Sequence, residues 1–325
     1  MNSYLKRYEI YDYLIKKIDN NDENNNKISC LDKSSGNIFE LFYYDSYKYK
    51  LANLNIFLLK VIGEQSLMGT VYLSKYKNYK FITKIMLLNK LSTRELDITK
   101  KLSDISYNTK NIHLPLLYGH SICNKINIEL KLINDNIYNP KNSYYCLFIE
   151  LYEGSMYIFL LKLLKISDKD IFKKYFYNII NQCLISILTC HINNIYHNDS
   201  HINNFLYCYS SLSSDYSYLY KYKDLEFSLN SYPYIISICD FGLSSFINEN
   251  NEKEDFKKDY KILFDSINKY YINKYNLNDK INLDLIYEIL NSSINDYDFF
   301  NNLKKNLIIN DDNDKKNKEI IINLS

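Results

Sequence analysis

His197-Asn198-Asp199-Ser200-His201-Ile202-Asn203-Asn204 and, further along, Cys239-Asp240-Phe241-Gly242 hold the residues of this chain best suited to chemistry. The Asp199 carboxylate can accept a proton, and Asn204 and Asp240 offer oxygen ligands of the kind hard divalent cations prefer. Phosphoryl transfer from a nucleotide asks for such a set, because positioning and neutralisation of phosphate charge supply most of its rate. The pattern is not cheap in this composition: Asn is abundant, but His occurs 5 times and Gly 6 times in 325 residues.

Groups of this kind have to be held on loops between rigid elements. Phe172, Phe176, Ile179, Cys183, Leu184 and Ile187 recur at helical spacing and predict a long helix that ends just before His197. Before Glu153-Gly154 the apolar period is two. Strands are expected at 56–62, 70–75 and 80–86 as a β-meander, then at 114–123 and 144–151 with a polar insertion between them. Residues 92–102, opening Ser-Thr-Arg-Glu, have a capping-type start and read as a helix. Residues 1–19 read as an amphipathic helix and 20–33 as an Asn-rich linker, so the catalytic domain is expected to begin near residue 50. Further helices are expected over 281–308, and a polar, solvated tail over 311–325.

Composition narrows the classes. Hydrophobic residues make up 46% and the formal charge is +2, which argues against wholesale disorder and against a strongly basic nucleic-acid binder. Seven scattered cysteines without a Cys-x-x-Cys pair predict reduced thiols in a cytoplasmic protein. Residues 1–19 lack the apolar core of a signal peptide, and the apolar run 156–164 falls well short of the ~20 residues that span a bilayer. The 35 tyrosines, the absence of Trp and the wealth of Asn, Ile and Lys suit the coding bias of an AT-rich genome.

The two segments quoted first resemble the catalytic loop and the metal-binding DFG loop of the protein kinase superfamily, and the resemblance covers about residues 55–275. It implies an α+β, two-lobed kinase-like fold, with a small antiparallel sheet over 51–152 and a mainly helical lobe over 153–310. ATP and Mg²⁺ are then the expected cofactors, and a protein Ser/Thr hydroxyl the expected acceptor. Asp199 would orient the hydroxyl and take its proton, with Asn204 and Asp240 as the Mg²⁺ ligands. His201 stands where Ser/Thr kinases aim a lysine at the γ-phosphate. Lys84, in Phe81-Ile82-Thr83-Lys84, resembles the strand lysine that holds the α- and β-phosphates, with Glu95 as its helix partner. Ile62, Gly63, Gly69 and Val71 resemble the loop that covers the phosphates, and Ile82 the residue against adenine. Phe148-Ile149-Glu150-Leu151 resembles the hinge, with Ile149 as gatekeeper and backbone groups of Glu150, Leu151 and Tyr152 meeting the base. Asp259 resembles the helix carboxylate that braces the catalytic loop, and His197 is expected to pack beneath that loop. His113, His120 and His191 are read as structural.

The chain also departs from the family. The outer glycines are six apart instead of five, with Gln65 or Ser66 in the middle place, yet Gly63, Gly69, Gly154 and Gly242 all fall at motif positions. Glu95 follows Lys84 by 11 residues, a short interval. Asn198 replaces the Arg that binds a phosphorylated activation loop in many kinases, so that mode of control is not expected. Asn204 and Asp240 are 36 apart, with a Tyr/Ser-rich insertion at 209–232, and the 19 residues from Asp240 to Asp259 contain no Ala-Pro-Glu motif. This combination is similar to haspin-like kinases and to the divergent Ser/Thr kinases of large cytoplasmic DNA viruses such as poxviruses, which implies host cytoplasm or virion. Two other readings stay open. One is a pseudokinase scaffold that binds nucleotide or a partner protein, and the other a small-molecule kinase like the aminoglycoside phosphotransferases. No nucleic-acid partner is expected, and the oligomeric state is not legible.

Overall fold

Alternating residues from position 56 onward form antiparallel strands, and the 3.6-residue period after Gly154 forms helices. The computed structural model describes residues 3–18, 28–33, 49–51, 55–62, 69–126, 143–212, 216–247, 255–305 and 318–324. The chain is α+β. Its contacts divide it into a strand-rich unit, Arg7–Asp97 with Leu116–Leu151, and a helical unit, Met1–Lys6 with Ile98–Pro115 and Tyr152–Ser325.

The strand-rich unit takes most of helix α1 (Ser3–Ile18), then β1 (Ile28–Lys33), β2 (Tyr49–Leu51), β3 (Ile56–Val61), β4 (Thr70–Tyr76) and β5 (Tyr79–Leu87). The start of α2 (Lys90–Thr109), with β6 (Leu117–Ile126) and β7 (Tyr144–Ile149), completes it. The strands close into a barrel in the order β1-β2-β3-β4-β5-β7-β6, antiparallel throughout except for the β1–β6 closure. Phe81 is fully buried, edge-on to Tyr118 and Phe148, and Ser74 donates to Thr83 at 2.6 Å beside it. Helix α1 buries Tyr8, Tyr11, Leu14 and Ile18, one helical stripe, and lays Tyr11 against Tyr118. Each fully buried Leu or Ile of that stripe contributes about 1.5–3 kcal/mol.

Three expectations change here. Residues 28–33, read as linker, form a barrel strand, and the strand-rich unit takes in the chain from Arg7 onward. Strand β1 is held by backbone pairing to β2 and β6, which leaves little trace in side-chain pattern. Helix α2 starts earlier than residue 92: Asn89 Oδ1 accepts the N–H groups of Leu91 and Ser92 and is the cap, while Ser92 Oγ donates to the Leu87 carbonyl. The thiols are not all reduced, because Cys123 is disulfide-bonded. Antiparallel β6 and β7 also bring its sulfur to 3.3 Å from that of Cys146, whose thiol burial pushes up to about 12.

The helical unit runs through β8 (Gly154–Ser155), α3 (Met156–Leu163), α4 (Lys169–Ile192) and β9 (Ile195–Tyr196). It continues with β10 (Phe205–Tyr209), β11 (Tyr216–Tyr222), β12 (Leu225–Asn230), β13 (Tyr234–Ile238) and β14 (Ser245–Phe246). Last come α5 (Lys257–Ile267), drawn on by a π-turn at Asn268–Ile272, then α6 (Asp284–Ser292), α7 (Asp296–Lys305) and β15 (Lys318–Asn323). Asp168 caps α4 by accepting the N–H groups of Asp170 and Ile171, and the helix is buried almost throughout from Asn178 to His191. The insertion folds as the hairpin β11–β12, fixed inside the unit by a 2.6 Å bond between Tyr220 OH and His113 Nε2. The expected polar tail is corrected too: β15 lies parallel to β11, and Ile322 and Leu324 are fully buried. Residues 311–317 of that tail lie outside the described residues. Among the described residues, no helix is long and apolar enough to cross a membrane.

Candidate active site

Helix α4 stops at Asn193, and two residues of β9 lead straight into the loop that carries Asp199. That loop contains little regular structure, so its shape depends on where its backbone N–H groups find partners. Asp259, nearly completely buried on α5, supplies them. Its Oδ2 accepts from His197 N at 2.8 Å, its Oδ1 from Asn198 N at 2.7 Å, and its carbonyl from Ser200 Oγ at 2.6 Å. Ser266, two turns along the same helix, receives Ile202 N at 3.0 Å.

Beneath Asp259 lies His191, with Nε2 3.0 Å from Asp259 Oδ2 and Nδ1 2.8 Å from Asp296 Oδ1. Burial opposes a charge on this ring, but the carboxylates of Asp296 and Asp259 outweigh it and raise its pKa to about 9. Burial likewise pushes Asp259 up, yet its bond to His191 and the charge there leave it below its usual value. His197 has the opposite balance: desolvation is its largest influence, and its pKa is lowered. Its Nε2 meets the Cys239 carbonyl at 2.9 Å and so carries the ring proton, leaving Nδ1 to accept from Asp199 N at 3.3 Å.

The two segments picked out by chemistry are neighbours within this unit. Asn204 Nδ2 donates to the Asp199 carbonyl at 2.8 Å and to Asp199 Oδ2 at 3.0 Å, while the Asn204 carbonyl accepts from Cys239 N at 2.8 Å. Asp240, next in the chain, takes a left-handed backbone with φ 62°, a costly conformation for a non-glycine residue that surrounding structure has to enforce. The side chains of Asp199 and His201 are each about a third exposed, with Nε2 of the ring 3.6 Å from Asp199 Oδ2. His201 Nδ1 accepts from Asn203 N at 3.2 Å, so Nε2 is the protonated nitrogen and presents a donor beside the carboxylate.

In the strand-rich unit Lys84 and Glu95 are both buried, with Nζ and Oε1 2.5 Å apart. Lys84 pairs across the sheet with Val71 on one side and Leu147 on the other. The helix turn that carries Glu95 is pressed against the sheet by Leu96, within a cluster of Met86, Leu117, Tyr145, Leu147 and Ile149. Glu95 is therefore an ion-pair partner here and not a capping-box residue. Ile82, on the same face as Lys84, is half-buried and pairs with Ile149. Ile62 N bonds to the Val71 carbonyl at 2.9 Å and closes the β3–β4 hairpin. At Gly69 a Cβ would lie 2.5 Å from the Ile85 carbonyl oxygen, so the sheet admits no side chain there. Gly63 lies outside the described residues.

The Glu150 N–H donates to the Leu116 carbonyl at 3.0 Å, and its carboxylate is gripped by Arg7 at 2.7 and 2.8 Å. The Arg7 contact was invisible in sequence, since 143 residues separate the partners. The roles of Asp296 and Ser266 were equally hidden, since each acts through the loop-bracing helix and not through a motif of its own.

Hard-cation chemistry fits what the helical unit offers. Asn204 spends its amide nitrogen on Asp199 and keeps an amide oxygen, an atom of the type hard cations prefer, and a carboxylate follows at Asp240. Among the described residues no group of three or more His, Cys, Asp or Glu side chains could hold a metal ion. Mg²⁺ typically needs only one or two carboxylates together with substrate phosphates. No protein-family model matches the sequence, and no curated protein matches it.

Proposed function

We propose that the chain is a Mg-ATP-dependent phosphotransferase of two-lobed kinase-like fold that acts on protein Ser/Thr hydroxyls. The observation that carries this reading is the bonded set in which Asn204 holds Asp199 through its side chain and the Cys239-Asp240 backbone through its carbonyl. Asp199 is exposed enough to meet an acceptor hydroxyl, and the Asn204 bond turns its carboxylate, leaving an oxygen to orient the hydroxyl and take its proton. Asn204 and Asp240 would hold Mg²⁺, which when bound neutralises phosphate charge. The His201 Nε2–H is a further donor beside the acceptor site.

The buried Lys84–Glu95 pair supports the same reading. A buried ion pair adds little stability over a well-packed apolar pair, so its presence is better explained by a task for the ammonium, here the α- and β-phosphates. The viral, haspin-like affiliation and a cytoplasmic setting belong to this proposal as well. A small-molecule acceptor is the second reading. It is favoured by the short stretch between Asp240 and Asp259, which leaves little chain for reading a peptide.

Transfer of labelled phosphate to casein-like and basic proteins with Mg²⁺ tests the proposal, with Asp199→Asn and Lys84→Met beside the wild type. Loss of the base should cost at least ~100-fold. Equal labelling by both variants would show the reading to be wrong, and labelling of amino-sugar hydroxyls alone would favour the second one. Nucleotide binding without turnover would leave a scaffold.

A further inference from the structure

Asn198 stands between His197 and Asp199 with φ 64°, a left-handed conformation that Asn tolerates better than most residues. Its backbone N–H is committed to Asp259, and its side chain reaches two further segments. Nδ2 donates to Ser245 Oγ at 2.9 Å and, at 3.4 Å, to the Leu243 carbonyl, while Oδ1 accepts from Lys258 Nζ at 2.9 Å. Ser245 opens β14, which follows the Asp240 turn, and Lys258 lies in the first turn of α5. Strand β14 pairs with β9 through Ser245–Tyr196 and Phe246–Ile195, and Ile247 N then donates to the Asn194 carbonyl at 2.9 Å. One neutral amide thus joins the loop of Asp199, the strand after Asp240 and the helix that carries Asp259.

We propose that Asn198 is a built-in latch that holds the Asp240 segment in its working position without covalent modification. An arginine in this place would need an anion on the facing segment, which phosphorylation can add and remove. An amide needs only a hydroxyl and an ammonium, and both are present in the unmodified chain. The Asp240 segment is therefore set by the fold itself, and Asn198 and Ser245 are positioning residues for the carboxylate at 240. The inference rests on the phosphotransferase reading and adds its mode of control.

The test uses the full chain, phosphatase-treated, with N198A, S245A, the double variant, and S245T, which keeps the hydroxyl. Amide hydrogen exchange over residues 243–247, measured without nucleotide, should quicken about 10-fold in each single alanine variant and no further in the double, with S245T near wild type. Turnover should fall about 10-fold in the same variants with the KM for nucleotide little changed, and phosphatase treatment should leave the wild-type kcat intact. Unchanged exchange, a double variant whose effect is the product of the singles, or loss of wild-type kcat on phosphatase treatment would each overturn the latch. If no form of the chain transfers phosphate, the phosphotransferase reading falls, while the exchange experiment still decides whether the latch exists.

Discussion

At the scale of single residues, the shape of the Asp199 loop depends on a buried stack of charges: Asp296, His191, Asp259, then the loop backbone. An unpaired buried carboxylate is expensive, so Asp259 can serve as an acceptor for two N–H groups because His191 stands beneath it. Linkage gives the sign of the pH dependence. The His191 pKa is raised from 6.5 to about 9, so its stabilisation is complete below about pH 6.5 and is lost as pH rises through about 9. Asp259 is depressed below its ordinary 3.8, so its contribution is present above that pH and is lost as the solution becomes more acid. Urea unfolding of the wild type should therefore lose roughly 2–3 kcal/mol between pH 6.5 and 9.5 from this source. His191→Gln, less stable at pH 6.5, should show a flatter profile over the same interval, and parallel profiles would remove His191 from the account. Asn204→Ala tests the next layer. It frees the Asp199 carboxylate and removes one of the two proposed cation ligands, so kcat should drop by about 100-fold and the Mg²⁺ concentration for half-maximal rate should rise.

Among the elements, β15 shows best how far the sequence could be read. Its burial alternates: Ile322 is fully buried, whereas Ile321 is 53% exposed. Ile322→Ala should thus cost roughly 2–4 kcal/mol in urea unfolding, and Ile321→Ala less than ~0.5 kcal/mol. Equal costs would mean that the strand does not pair with β11 in this register. The Ile320-Ile321-Ile322 run carried the signal, but the mixed-charge stretch before it suggested solvent, and parallel pairing to a distant hairpin has no local signature. Helix α4 was legible for the opposite reason, because its stripe repeats over many turns. The β3–β4–β5 meander was legible through its strict alternation. Strands β1 and β2 were not, being short and held by backbone bonds. At the site, Asp199, Asn204 and Asp240 could be picked out because their segments are marked by scarce residues, His197, His201 and Gly242, and Lys84 because it lies on the strand after the Gly69 hairpin. Arg7, His191 and Asp296 could not, because each matters only through a partner brought close by the fold.

For the whole molecule, the residues of the proposal divide by unit: Lys84 and Glu95 belong to the strand-rich one, Asn204 and Asp240 to the helical one. A ligand that binds the native chain alone stabilises it by about 2.7 kcal/mol at a hundred times its Kd, so thermal unfolding reads binding without any need for turnover. Mg-ATP should raise the Tm of the wild type. Lys84→Met should shrink the shift with or without the metal, because an ammonium on the phosphates acts on the nucleotide itself. Asp240→Asn should shrink the shift seen with Mg²⁺ while leaving that of metal-free nucleotide nearly unchanged, because a metal ligand acts only through the cation. This asymmetry is harder to meet by accident than a simple loss of binding, since general damage to the fold would reduce both shifts together. If metal-free and Mg²⁺-bound nucleotide respond alike to both substitutions, the division of labour between the ammonium at 84 and the carboxylate at 240 is wrong, and with it the phosphotransferase assignment.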